Sequence, residues 1–341
     1  MPDAIAVEAL SKRYGDVHAL DDLDLTVEQG TVVGLLGPNG AGKTTVIRIL
    51  ATLLRPDSGS VRICGIDALR EPERVRPHIG LTGQYAAVDE KLTGFENLRM
   101  LGRLFRSGRA ESRRRADELL AEFGLADAAA RLVRTYSGGM RRRLDLAASL
   151  IARPEVIFLD EPTTGLDPRS RSAIWRIVAD LAAAGTTVLL TTQYLEEADR
   201  LADTVAVVDH GAVIARGTPE ELKDRVGGER LEIRLDDAAQ YERAERAIRG
   251  VVDGSPCAHD GEGRMTVAVT GGALLMPALV RELDAAKVLV VDMVVRRPTL
   301  DDAFFALTEQ RETPAPDADP APPRPDAEHV TAVAAGRTDK R

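Results

Sequence analysis

The chain has 341 residues, 44% of them hydrophobic, enough for one large α/β unit and a smaller second one. A formal net charge of -9 and a pI near 5.3 argue against a nucleic-acid-binding surface as the main feature. No N-terminal segment reads as a secretory signal and no apolar run approaches the roughly 20 residues that span a bilayer, so the expectation is a cytosolic protein that works at a membrane only through a partner.

Residues 7–10 and 23–27 read as short strands, with 11–16 as a loop between them. Tyr14 in that loop either stacks on a base or covers a sheet edge, and the sequence alone leaves both open. An apolar run at 31–36 then leads into Gly37, Pro38, Asn39, Gly40, Ala41, Gly42, Lys43, Thr44 and Thr45, and the amphipathic run 46–50 follows. This is strand, loop and helix around G-x-x-x-x-G-K-[ST], whose bland reading is a glycine-rich turn that happens to contain Gly-Lys-Thr. Gly37, Gly40 and Gly42 free the backbone to aim successive N–H groups at phosphate oxygens. Lys43 adds a cation for the β- and γ-phosphates, and the Thr44 hydroxyl is placed to hold Mg²⁺.

A turn at 55–59 precedes a strand at 61–65. From about 95 to 152 the apolar spacing is helical, which predicts a helical subdomain at about 85–155. Arg113, Arg114 and Arg115 read as a solvated helix face. Strands return at 156–159, 187–190, 205–208 and 212–215, with a helix from Asp167 to about 184. Apolar strands alternating with helices predict a buried, largely parallel sheet. Asp160 and Glu161 end the first of these strands, where Asp160 can reach a Mg²⁺ shell and Glu161 can orient an attacking water. Thr218, Pro219 and Glu221 form a helix start with a capping box.

Beyond Gly227-Gly228 the pattern begins afresh: strands at 231–235, 265–269 and 288–295 alternate with helices at 241–248, 274–283 and 300–307. This predicts a small α+β domain over 227–312, regulatory or dimer-forming, after a main domain over 1–226. The Pro/Ala-rich stretch 313–341 reads as a disordered tail. Cys64 and Cys257 stand in no metal-ligand spacing, and the histidines form no cluster.

Tyr136-Ser137-Gly138-Gly139-Met140-Arg141-Arg142-Arg143 opens an apolar helical run. Ser137 has N-cap chemistry, and Gly138 and Gly139 expose N–H groups to an anion. At these residues the sequence resembles the nucleotide-binding subunit of ATP-binding cassette (ABC) transporters, a P-loop NTPase fold with a helical subdomain. The resemblance runs in order through Tyr14, the P-loop, Gln84, the signature, Asp160-Glu161, Asp167 and Gln193. It implies Mg-ATP as the ligand, with Tyr14 stacking on adenine and Gln84 touching Mg²⁺ or water and relaying the nucleotide state to a membrane permease. Ser137, Gly138 and Gly139 would contact ATP held by a second copy, and Asp167 would cross the same homodimer interface. Met140 and Gln193 depart from the family's usual Gln and His. Gln193 can bond the γ-phosphate but cannot become cationic.

The wider motifs, including Thr82-Gly83-Gln84 and Arg297-Pro298-Thr299-Leu300-Asp301-Asp302-Ala303-Phe304, resemble the daunorubicin-resistance branch. That implies an ATPase coupled to export of anthracyclines or related polyketides and lipids, peripheral on the cytoplasmic face of the membrane. Two alternatives are a soluble cassette ATPase acting on ribosomes or DNA and a low-turnover drug-binding protein. The former usually carries two cassettes or a long coiled-coil insertion, whereas this chain has one P-loop and one signature.

Overall fold

A computed structural model describes residues 3–83, 87–225, 229–252, 257–260, 263–269 and 271–312. Gln84, Gly227-Gly228 and the Pro/Ala-rich tail lie outside these described residues. The first half runs β1 (Asp3–Tyr14), β2 (Val17–Glu28), β3 (Val32–Leu36), α1 (Lys43–Leu50), β4 (Ser58–Ile63), β5 (Ile66–Asp67), α2 (Pro72–Val75) and β6 (Ile79–Thr82). Then follow α3 (Gly94–Leu104), α4 (Arg109–Glu122), α5 (Gly138–Ser149), β7 (Val156–Asp160), α6 (Pro168–Ala183), β8 (Thr187–Thr192), α7 (Leu195–Leu201), β9 (Thr204–Asp209), β10 (Ala212–Gly217) and α8 (Pro219–Asp224).

Every residue of β3, β7 and β8 is buried, as their unbroken apolar runs require of strands covered on both faces. They lie at the centre of a six-stranded sheet, order β10-β9-β3-β8-β7-β6, parallel except for β10. An antiparallel sheet, β2-β1-β4-β5, packs its apolar side with α1 and the central sheet into one core. On the other face α3, α4, α5 and α6 share a second core, including Leu98, Leu120, Leu144 and Ile174. Thr93 and Glu96 close a capping box at the start of α3.

Residues 11–14 are strand, not loop. β1 pairs with β2 as far as Tyr14↔Val17, leaving only Gly15 and Asp16 for the turn. Register shifts between Val7 and Leu10 and between Leu10 and Lys12 break the two-residue alternation by which a sequence announces a strand.

The C-terminal part runs β11 (Arg230–Leu235), α9 (Tyr241–Arg249), β12 (Cys257–His259), β13 (Arg264–Ala268), α10 (Gly272–Ala285), β14 (Val290–Arg296) and α11 (Leu300–Glu312). Its sheet, β12-β13-β11-β14, is antiparallel. β12 is absent from the sequence reading because three residues are too few to show a period. α9 and α10 cover one face through Ile248, Leu279 and Leu283. α11 does not join that core. Its Leu300 and Ala303 are buried with Ala198 and Leu222 against α7 and α8, so the last helix ties the C-terminal part to the edge of the large sheet. Among the described residues, no helix is long and apolar enough to cross a membrane.

Candidate nucleotide site

The register Leu36↔Thr192 and Asp160↔Thr191 brings the carboxyl ends of β3, β7 and β8 level. The P-loop, the Asp160-Glu161 pair and Gln193 therefore leave the sheet at one edge, the edge at which open α/β sheets bind ligands.

Gly40 and Gly42 have φ of 87° and 105°, in the left-handed region that favours glycine. A Cβ on Gly37 would lie 2.2 Å from the Val208 carbonyl oxygen, and one on Gly42 would lie 2.4 Å from that of Ala19. The loop is thus wedged between the β1–β2 hairpin and the end of β9. α1 begins without a side-chain cap or an acidic residue in its first turn, leaving its N–H groups and positive dipole end for an anion. Lys43 is buried and donates to the carbonyls of Gly37 at 2.6 Å and Pro38 at 2.9 Å. Burial lowers its pKa, while the charges of Glu161 and Asp160 oppose the shift.

Asp160 Oδ1 accepts from the hydroxyls of Thr44 at 3.2 Å and Thr191 at 2.6 Å. A threonine hydroxyl beside a carboxylate offers the hard oxygen donors Mg²⁺ favours, so these residues fit the Mg-ATP that the sequence implies. Glu161 takes a φ of 48°, unusual for a residue with a Cβ. Its N–H is held by the Thr191 carbonyl at 3.1 Å and hydroxyl at 3.0 Å, and its Oε2 accepts from Thr164 at 3.1 Å. Gln193 follows β8, half-buried.

Ser137 caps α5 through a 3.3 Å bond from Met140 N–H. A Cβ on Gly139 would meet Ser170 Oγ at 2.4 Å, so the first turns of α5 and α6 touch. Asp167 caps α6 and accepts from Ser170 N–H and Oγ, bonds that hold its carboxyl below the usual range. Ser137, Gly138 and Asp167 form an exposed ridge, while Gly139 is buried beneath it. Among the described residues, no hydrogen bond joins Ser137–Gly139 to residues 37–45. Tyr14 is about half exposed at the hairpin tip, with Lys12 Nζ 5.9 Å from its ring centre.

Thr191, Arg142 and Asp145 are functional candidates that the sequence reading missed. A carboxylate between Leu144 and Leu146 in a buried helical run was the available signal, because an ionisable group at an apolar position needs a partner.

A loop-held phosphate cradle, a carboxylate strand beside it and a capped Ser-Gly-Gly helix on a helical subdomain define an ABC-type ATPase cassette. Residues 20–164 match the ABC transporter family and residues 217–308 the C-terminal domain of DrrA1-3-like ATP-binding proteins. The daunorubicin resistance ATP-binding protein DrrA2 of Streptomyces coeruleorubidus is 55% identical over 90% of this chain and 96% of its own length. The daunorubicin/doxorubicin resistance ATP-binding protein DrrA of Streptomyces peucetius is 52% identical, over 89% and 92% respectively. A dimeric ATP-binding cassette, MJ0796, solved in a post-hydrolysis state with ADP and Pi, superposes with a TM-score of 0.58 at 26% identity, over 63% of this chain and 98% of that one. The chain belongs to the daunorubicin-resistance branch of the ABC ATP-binding proteins. It is an ATPase whose hydrolysis is coupled to transport, and cassettes of this kind work as dimers with membrane permease partners.

Proposed function

We propose that two identical copies close around two ATP molecules and drive export of a hydrophobic drug, an anthracycline or related polyketide, through a separate permease. The joined ends of β3, β7 and β8 carry this reading: the hydroxyls of Thr44 and Thr191 both donate to one carboxylate oxygen of Asp160, with Glu161 held next to them. The names of the relatives support the drug. Residues 1–226 form the cassette, with 85–155 as its helical subdomain. Residues 227–312 form an accessory domain, and the protein works on the cytoplasmic face of the membrane.

In this reading residues 37–45 cradle the phosphates and Lys43 turns from the loop carbonyls toward them. Thr44, Asp160 and Gln84 would hold Mg²⁺, which would supply positive charge to offset that of the phosphates. Glu161 orients the attacking water, and Gln193 donates its amide to the γ-phosphate. Tyr14 stacks on adenine. Ser137, Gly138 and Gly139, with Asp167 beside them, face the nucleotide of the other copy; the exposure of Ser137, Gly138 and Asp167, and the lack among the described residues of hydrogen bonds from residues 137–139 to residues 37–45, suit that role.

Replacing Glu161 by Gln tests the core of this reading. The variant is expected to bind ATP and dimerise while turnover falls by about a hundredfold or more. Undiminished hydrolysis would remove Glu161 from its role. Co-expression with a permease, followed by a search for compounds that stimulate ATPase activity, tests the drug class. Stimulation by ribosomes or DNA without membrane recruitment would overturn it.

A further inference from the structure

α5 begins at the signature residues, and one turn along it carries Arg142 and then Asp145. The Arg142 side chain is only 11% exposed, yet its partners are mainly backbone oxygens rather than carboxylates. Its guanidinium donates to the carbonyls of Gly83 at 2.6 Å, Pro162 at 2.7 Å, Glu161 at 3.0 Å and Asp160 at 3.1 Å. Asp145 Oδ1 accepts from the Ala87 N–H at 2.7 Å, and Oδ2 lies 3.7 Å from Arg142 Nη1. One face of one helix therefore holds residues 83 and 87, the flanks of the Gln84 segment, together with the backbone of the two site carboxylates.

A guanidinium suits this task because its donors form a rigid planar fork, so four carbonyls bound to it are fixed relative to one another. The carbonyl of Glu161 is the most telling of the four. That residue occupies the left-handed backbone region, which is strained for a residue with a Cβ and persists only where neighbours over-determine it. Thr191 grips its N–H and Arg142 its carbonyl.

We propose that Arg142, backed by Asp145, is a positioning residue that sets Glu161 and the Gln84 flanks in register with the signature helix. Displacement of α5 then moves the water-orienting carboxylate with it. This rests on the reading of Glu161 given above.

The test compares Arg142→Ala, Arg142→Lys and Glu161→Gln in the purified full chain, measuring ATP affinity, kcat, KM and thermal midpoint. In Arg142→Ala, kcat falls by about a hundredfold, the effect of misplacing a catalytic group by roughly 1 Å, while ATP affinity and KM stay near wild type. Added guanidinium ion restores part of the lost kcat, which a merely structural role would not allow. Arg142→Lys, with a compact ammonium that cannot span the four carbonyls, folds and shows an intermediate kcat at unchanged KM. If Arg142→Ala does not fold, Arg142→Lys decides alone. Wild-type kcat in either variant overturns the proposal, as does loss of ATP affinity in proportion to kcat. Retained turnover in Glu161→Gln would instead refute the functional reading itself, so the two failures are distinguishable.

Discussion

The Thr191 hydroxyl donates to Asp160 Oδ1 at 2.6 Å, joining the ends of two central strands at the residue that also accepts from Thr44. The same hydroxyl accepts the N–H of Glu161 at 3.0 Å. One threonine thus orients the carboxylate facing the Thr44 hydroxyl and the backbone of the carboxylate proposed to face the water.

Thr191→Val keeps the shape and removes both bonds. Each is worth about 1 kcal/mol net, and leaving a buried acceptor short costs further. We expect kcat to fall roughly tenfold or more, with the Mg²⁺ concentration for half-maximal activity raised. Turnover assays across a Mg²⁺ titration check this; wild-type kinetics would show that Asp160 is oriented without the Thr191 hydroxyl.

Gln193 tests how the amide substitutes for an imidazole. Loss of a single hydrogen bond in Gln193→Ala is expected to lower kcat about tenfold, or ~1.4 kcal/mol of barrier. Gln193→His restores the bond and adds a titration near pH 6.5 to the rate profile. A pH–rate series on the three proteins decides, and normal activity in Gln193→Ala would show that this side chain is dispensable.

Asp145 gives a pH signature in stability. Burial pushes its carboxyl up to about 6, with the Ala87 N–H and the charge of Arg142 opposing the shift. A raised carboxyl pKa means the folded state holds the proton more tightly. The associated stability is complete below the unfolded value near 3.8 and is lost as pH rises through 6. Relative to Asp145→Asn, the wild type should therefore be favoured more at pH 4 than at pH 7, by about 2 kcal/mol. Denaturant midpoints at the two pH values check this. A stability difference that does not change with pH would contradict it.

The site was legible where a motif is local. Gly37 to Thr45 needs only its own spacing and flanking elements, and residues 156–161 announce a buried strand ending in two carboxylates. The fold class follows from the same alternation of apolar runs and helices. What escaped depends on residues distant in the chain. Thr191 looks like an ordinary strand residue until Asp160 is beside it, and the carbonyls bound by Arg142 have no side-chain signature. The extension of β1 to Tyr14 was hidden by bulges, and the docking of α11 on α7 and α8 is a tertiary contact between weakly patterned helices.

The central claim is that each signature completes the site of another copy, and inter-chain cross-linking tests it most directly. In a background carrying Cys64→Ser and Cys257→Ser, chains with only Ser137→Cys are mixed with chains bearing only Asn39→Cys, then oxidised with and without ATP. The account predicts a covalent pair containing one chain of each kind, formed only when ATP is present. Full ATP binding and turnover with no such pair at any nucleotide concentration would contradict it.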